Sequence, residues 1–264
     1  MTTPIELTSL KNPHIMSARE LASRKGRQAQ RAFLCEGEHM VLEALTVCPD
    51  AVRHIFVESE KYEKYQSLLA MAHPETAIYA ITERMLASIS QVKTPQGIAA
   101  TVALPQPAPL NELGDKLVLL ENVQDPGNVG TILRTLDAAG FSGCILTHGC
   151  ADPFAPKTLR ATMGSIFRVP MLQDIGAEEA MQDLKKQGYA LLAAELSGEP
   201  FYQRSPLPDR LCLLIGNEGA GLTPAACRLA THRFSLPMRG GAESLNAAVA
   251  AAIMMYDIAY GDGE

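Results

Sequence analysis

Apolar residues in this chain fall in short unbroken runs, each followed by a stretch with helical spacing. LVLL (117–120), LCLLI (211–215) and ALLAA (190–194) are continuously apolar, the pattern of strands covered on both faces. Residues 143–147 and 234–236 read as two further strands. AFLCE (32–36), HIFV (54–57), AIYA (77–80) and GIAATVA (97–103) do the same in the first part of the chain. Helical spacing fills the gaps at 17–32, 38–46, 60–72 and 82–90, and then at 128–139, 156–163, 177–187, 225–230 and 245–260. Met40, Val41, Ala44 and Leu45 form one such apolar stripe. Strands alternating with helices predict an α/β fold in both parts, with a mostly parallel sheet in the second. The last helix is built almost wholly of Ala, Val, Ile and Met; being apolar all round, it is predicted to be buried.

One stretch breaks the alternation. Pro105, Pro107 and Pro109 stand within five residues and forbid both regular helix and central strand. The chain therefore divides into a small N-terminal α/β domain (1–104), a linker (105–115) and a larger C-terminal domain (116–264).

Charge changes this picture only locally. The net charge is −6, but residues 1–104 balance and the acidic excess lies after them. Within the first domain, Lys11, Arg19, Arg24, Lys25, Arg27 and Arg31 face Glu20 alone over the stretch 11–31. Such a patch can bind phosphates whatever the total charge, and equally suits a solvated basic helix. The six cysteines form no C-x-x-C pair and stand beside no histidine cluster, so reduced thiols are expected and a metal site is not. No apolar run reaches membrane-span length, and the N-terminus lacks the apolar core of a secretory signal, which predicts a cytoplasmic protein.

Three loops carry the candidate chemistry. ENVQDPGNVGTILRT (121–135) follows a strand and opens a helix. Asn128 is placed to cap that helix with its amide facing a ligand, and Arg134 is expected on roughly the same face. Gly127 and Gly130 have the wrong spacing for a G-x-G-x-x-G dinucleotide fingerprint, which counts against an oxidoreductase. LIGNEGAGLT (214–223) ends a strand in three glycines around Asn217 and Glu218, and lacks the lysine of a P-loop. LPMRGGAESLNAAVAAAIMM, from Leu236 onward, breaks at Pro237, Gly240 and Gly241. It brings Ser244 and Asn246 to the mouth of the last helix, where Ser244 also suits an N-cap. Each loop alone is equally a plain turn or cap. All begin where strands of a parallel sheet end, which is where such sheets bind ligands.

Taken in order, DPGNVGTILRT, IGNEGAGL and LPMRGGAESLNAAVA resemble the three signature segments of the SpoU (TrmH-type) RNA methyltransferases of the SPOUT superfamily. KTLRATMGSIFRVP (157–170) fits the pattern between the first two. The stretch from Leu7 to Leu45 resembles the small substrate-binding domain that precedes many of these enzymes. The resemblance implies a C-terminal domain tied in a deep trefoil knot, an exception to the rule against knots. It implies an S-adenosylmethionine cofactor held by Gly216, Leu236 and Leu245, with Ile215 and Met238 nearby. It places the catalytic residues at Asn128, Arg134, Glu218, Ser244 and Asn246, and makes the protein a homodimer. Ala247 and Ala248 depart from the Val-Ser that many members carry after the asparagine.

The implied reaction is methylation of a ribose 2′-hydroxyl, with ribosomal RNA expected over transfer RNA by analogy. A noncatalytic RNA-binding protein on the same fold is the alternative from another class. Methyl transfer from a sulfonium chiefly needs alignment, while the hydroxyl needs help with its proton or its developing charge. A guanidinium, with a pKa of about 12 or higher, is a poor base. Arg134 is therefore expected to orient the hydroxyl or a phosphate and to stabilise charge, with Asn128 and Glu218 positioning Arg134 or the ribose and Ser244 in the same network. Arg24, Lys25, Arg27, Arg31, Arg160 and Arg168 are the candidate RNA contacts, setting position and not sequence. An unpaired loop or bulge is the expected target.

Overall fold

A computed structural model of the chain describes residues 4–261. They form two compact units, residues 4–106 together with 154–167, and residues 107–153 together with 168–261. The first boundary falls in the proline-rich stretch. The segment 154–167 departs from the predicted division, because it packs with the first unit. Its Phe154 ring lies tilted against the buried Phe33 ring at 5.0 Å between centroids, and its Phe167 ring stacks on Phe33 at 6.0 Å.

The first unit holds a five-stranded mixed sheet. Its strands are β1 (Ile5–Glu6), β2 (Ala32–Glu36), β3 (Val52–Glu58), β4 (Ala77–Ile81) and β5 (Ile98–Ala103), in spatial order β1-β4-β3-β5-β2. β5 runs antiparallel to both its neighbours and the other pairs are parallel. The two-residue β1 is too short to register as a pattern and was not predicted. Five helices pack on this sheet: α1 (Pro13–Glu20), α2 (Arg24–Gln30), α3 (Glu38–Val47), α4 (Tyr62–Leu69) and α5 (Glu83–Ile89). The single helix predicted over 17–32 is two helices. Ser23 adopts extended backbone and its hydroxyl accepts from the Gly26 N–H at 3.0 Å, capping α2. The interruption leaves the last carbonyls of the preceding turn without helical partners, and Arg27 supplies them. Its Nη1 donates to Leu21 O (2.8 Å) and Ala22 O (3.0 Å), and the residue is 4% exposed. Arg27 is thus a strut between two helices and leaves the set of RNA contacts.

The second unit is a six-stranded sheet in which every neighbouring pair is parallel. Its strands are β6 (Lys116–Leu120), β7 (Gly143–Thr147), β8 (Met171–Ile175), β9 (Ala190–Pro200), β10 (Leu211–Ile215) and β11 (His232–Ser235), in order β11-β9-β10-β6-β7-β8. Leu117, Val118, Leu119 and Leu120 are all fully buried, as continuous apolar patterning requires. β8 was not predicted; of its five residues one is buried, three are partly buried and one is exposed, so its pattern is weak. The helices are α6 (Pro126–Ala138), α8 (Ala177–Lys186), α9 (Pro224–Leu229) and α10 (Ala247–Tyr260), while α7 (Pro156–Thr162) lies in the segment that joins the first unit.

Two features of this sheet build the site. β6 and β10 pair in register from Lys116↔Leu211 to Leu120↔Ile215, so their following loops leave side by side. Strand order runs from β6 toward β8 on one side and through β10 and β9 to β11 on the other, which makes this the switch point where parallel sheets bind ligands. On the other side, the β9–β11 pairing jumps from Ala193↔Arg233 to Glu199↔Phe234, and residues 194–198 bulge out of the ladder. Gly198 closes that bulge: a Cβ there would stand 2.6 Å from the Arg233 and Phe234 backbone. The prediction that α10 is buried all round is corrected. Ala248, Ala251, Met254, Met255 and Ile258 are buried, but Val249 and Tyr256 are each 46% exposed and Tyr260 is 64% exposed.

The roles of two adjacent basic residues can be told apart by unfolding. Arg27→Ala strips two hydrogen bonds from a charged donor and is expected to destabilise the first unit by about 1.5–3 kcal/mol. Lys25→Ala, at an exposed position on the same helix, should change stability by less than about 0.5 kcal/mol. Chemical denaturation of the two variants giving equal losses would remove the strut.

Candidate functional site

Each of the three predicted loops leaves an element the sheet holds rigid. The first starts at Glu121, whose N–H donates to Ile215 O at 2.8 Å, continuing the β6–β10 ladder by one bond. Its side chain is 5% exposed, and both carboxylate oxygens accept from Thr223, one from the N–H and one from the hydroxyl, each at 2.8 Å. Glu121 thereby ties the start of the first loop to the far end of the second. Glu121 was not among the predicted site residues, though an acid directly after a buried apolar strand is a readable sign of such a tie.

The second loop turns back on itself. Asn217 and Gly221 exchange backbone hydrogen bonds of 3.0 and 2.9 Å, and the Asn217 Oδ1 accepts from the N–H groups of Gly219 and Ala220. Gly216 lies under this turn. A Cβ there would stand 2.2 Å from the Gly221 carbonyl carbon and 2.3 Å from the Leu222 nitrogen, so only glycine fits. The Asn217 Nδ2 donates across to Asn122 O at 2.9 Å.

A chain of hydrogen bonds through Glu218 joins all three loops. Its carboxylate accepts from the N–H groups of Gln124 (3.2 Å) and Asp125 (3.0 Å) and from Asn128 Nδ2 (2.9 Å). Asn128 Oδ1 in turn accepts from Asn246 Nδ2 at 2.9 Å. Asn246 Oδ1 accepts from the N–H groups of Ala248 and Val249, capping α10. Burial pushes the Glu218 carboxyl up, but the Asn128 amide and the backbone N–H donors together outweigh it and hold it below the usual carboxylate range.

Three expectations are corrected here. Asp125 caps α6, accepting from Asn128 N at 3.0 Å, because Pro126 takes the first helical position. That frees the Asn128 amide for Glu218 and Asn246. Asn246 caps α10, and Ser244 is exposed with no hydrogen bond among the described residues. Arg134 does not share a face with Asn128: six residues advance a helix by about 600°, which leaves the two about 120° apart. Asn128 is buried, whereas Arg134 is exposed and makes no hydrogen bond or ion pair among the described residues. Neither Asn128 nor Glu218 holds it.

A cavity of about 400 Å³ opens beside these loops, within the range of roughly 300–1,000 Å³ for small-molecule sites. Ile215, Gly216, Leu236, Met238 and Leu245 all line it, with Ser244 and Glu218. The β9 bulge supplies another wall through Glu195, Leu196 and Ser197, none of which was predicted. Glu195 accepts from Cys227 Sγ (2.9 Å) and Ser197 Oγ (3.0 Å) and pairs with Arg233 at 3.3 Å. The Cys227 hydrogen bond, ahead of the other contacts, holds the Glu195 carboxyl below its ordinary range. Burial, followed by this carboxylate, pushes the Cys227 thiol up to about 11, so the thiol keeps its proton. Among the described residues no group of three or more His, Cys, Asp or Glu could hold a metal, and no helix is long and apolar enough to cross a membrane.

Of the remaining predicted RNA contacts, Arg24, Lys25 and Arg31 are exposed in the first unit, where Arg31 reaches Gln106 Oε1 at 3.2 Å. Arg160 is exposed and makes no hydrogen bond or ion pair among the described residues. Arg168 is paired with Asp137 at 3.0 Å, which offsets its charge.

Comparison with known proteins agrees with this geometry. Residues 12–100 match the MRM3-like substrate binding domain. The chain is 36% identical over 255 residues to the 23S rRNA (guanosine(2553)-2′-O)-methyltransferase RlmP of Bacillus subtilis, covering 96% of this chain and 98% of that protein. The AdoMet-bound rRNA methyltransferase of Sinorhizobium meliloti superposes with a TM-score of 0.83 at 32% identity, over 96% of both chains. The SpoU methyltransferase AviRb of Streptomyces viridochromogenes, in complex with AdoMet, gives 0.83 at 27% identity, over 96% of this chain and 98% of its own. Residues 115–256, which contain the parallel sheet, the three loops and the cavity, match the SpoU rRNA Methylase family, and the chain belongs to that family.

Proposed function

We propose that this protein transfers a methyl group from S-adenosylmethionine to a ribose 2′-hydroxyl of ribosomal RNA. The observation that carries the reading is the Glu218–Asn128–Asn246 chain, which joins the three loops beside a cavity lined by all five residues expected on the cofactor side. The relative RlmP, named for a 2′-O-methylation of 23S rRNA, supports ribosomal over transfer RNA. The likeness to a bacterial rRNA methyltransferase supports the cytoplasm as the place of action.

The cavity suits the cofactor's chemistry. Leu222, Phe234 and Met254 add apolar surface for a flat heterocycle. Gly216 lets backbone approach closely, and Glu195 offers a carboxylate to hydroxyl or ammonium groups. When bound, the cofactor supplies an activated methyl on a sulfonium, so the chain's own work is alignment and charge management. Gly216, Leu236, Leu245, Ile215 and Met238 hold the donor. Glu218 and Asn128 keep the loops closed and Asn246 anchors them to α10. The unpaired Arg134 guanidinium binds the incoming ribose or its phosphate and stabilises the developing alkoxide charge. Ser244 stands at the cavity edge as a second hydroxyl contact. The proton leaves to a group other than Arg134, which cannot accept it. Arg24, Lys25, Arg31 and Arg160 hold the RNA backbone, with Arg168 at its margin.

Two further readings follow from family membership: the C-terminal domain is a deep trefoil knot, and the protein is a homodimer. The exposed apolar face of α10, with Val249, Tyr256 and Tyr260, is the surface a second copy would cover. Sedimentation should give the mass of two chains for the wild type and of one for Val249→Glu/Tyr256→Glu; a wild-type monomer rules the dimer out.

Three experiments test the reaction. Gly216→Ala should abolish calorimetric binding of S-adenosylmethionine, because the added methyl displaces the turn. Arg134→Ala should keep cofactor affinity while losing about 10²–10³ in kcat; near-normal turnover would remove Arg134 from the site. Mapping ribose methylations in cells lacking the gene should show one lost from ribosomal RNA. A loss confined to transfer RNA would move the substrate, and wild-type protein that binds no cofactor would end the enzyme reading.

A further inference from the structure

The first unit has a cavity of its own, of about 270 Å³. We propose that it receives a single unpaired base of the RNA, a second recognition site apart from the nucleotide that is methylated. This rests on the RNA-methyltransferase reading and adds a base-binding function to a domain otherwise credited with backbone contacts.

The walls suit a flat, weakly polar ligand. Met40, Leu86, Val92, Pro95, Ile98 and Met163 supply them. Two of the six are methionines, whose polarisable sulfur packs well on aromatic rings. Met163 is 46% exposed and stands in left-handed backbone (φ 48°), an uncommon conformation for a side-chain-bearing residue. The fold thus holds a large apolar side chain out at the rim of a hollow.

Two exposed polar residues of the lining can read an edge. Gln96 Oε1 is taken by the Glu38 N–H at 2.9 Å, so its amide NH₂ remains as a donor. His39 Nε2 lies 3.0 Å from Met163 O. A carbonyl only accepts, so Nε2 carries the hydrogen and Nδ1 of the neutral ring is left as an acceptor. A donor and an acceptor in one apolar slot match the exposed edge of an unpaired base. Glu36, the acid in the cavity, is occupied by the Ser90 hydroxyl and by the Gln91 N–H at 2.9 Å.

Charge at the rim completes the match. Arg160 lines the cavity, and Lys93 lies between two lining residues of the same loop. Both are exposed, and neither makes a hydrogen bond or ion pair among the described residues. Cations beside an apolar slot are how single-stranded RNA is gripped, phosphate outside and base inside.

Photocrosslinking tests this directly. Unpaired hexanucleotides carrying 4-thiouridine or 6-thioguanosine would be irradiated with the full-length protein and the adducts located by mass spectrometry. Adducts are expected at Met40, Val92 or Met163. Val92→Trp, which fills the slot, and Arg160→Ala, which removes the phosphate contact, should each cut that yield about tenfold while leaving S-adenosylmethionine binding unchanged. Should Val92→Trp not fold, Arg160→Ala alone decides. Adducts found only outside the cavity, or yields unmoved in a folded variant, overturn the base site and leave the methyltransferase reading standing. No adduct anywhere on the wild-type protein overturns the RNA reading and the base site together.

Discussion

The functional architecture depends on one carboxylate. Glu218 draws two backbone N–H groups and the Asn128 amide onto itself, and Asn128 passes the connection to Asn246. Hydrogen bonds to a charged group contribute about 1.5–3 kcal/mol each where water is excluded; here partial exposure lowers that figure. What matters is that Glu218 ties the second loop to the first, and that Asn128 carries the tie on to the third. Loops rich in glycine have much conformational freedom to lose, and this relay from carboxylate to two amides holds them in one arrangement before a ligand arrives.

That arrangement is possible because of the sheet beneath it. Register between β6 and β10 brings Glu121 and Gly216 out at the same level, and the Glu121–Thr223 bonds close the second loop back onto the first. The β9 bulge then adds the wall that carries Glu195. Rigid parallel strands thus do the positioning, and irregular backbone at their carboxyl ends provides the contacts.

Arg134 stands apart from this network. A guanidinium bound by Glu218 would have its charge offset and its donors consumed. Left exposed on the opposite side of α6 from the buried face, it keeps five donors free, as the role proposed for it toward an anionic substrate requires. Its isolation within the protein therefore fits a role toward RNA better than the cluster predicted around it.

Much was legible in the sequence. Unbroken apolar runs such as LVLL and LCLLI announced buried parallel strands, because only a sheet covered on both faces tolerates them. The three loop motifs named the family, and the residues around Gly216, Leu236 and Leu245 proved to line one cavity. Weakly patterned elements stayed hidden: β1 is two residues long, and β8 mixes buried with exposed positions. Pro126 at the first helical position already made Asp125 the cap of α6; tertiary structure alone decided that Glu218 and Asn246 take up the freed Asn128 amide. It alone turned Arg27 from a basic residue in a basic run into a buried strut, because the break at Ser23 created the carbonyls that Arg27 serves. It alone showed what Glu195 and Glu121 bind, since their partners lie 32 and 102 residues away. Local patterning determines which segments are strands, helices and turns; which polar groups meet depends on register and crossover, and those belong to the folded chain.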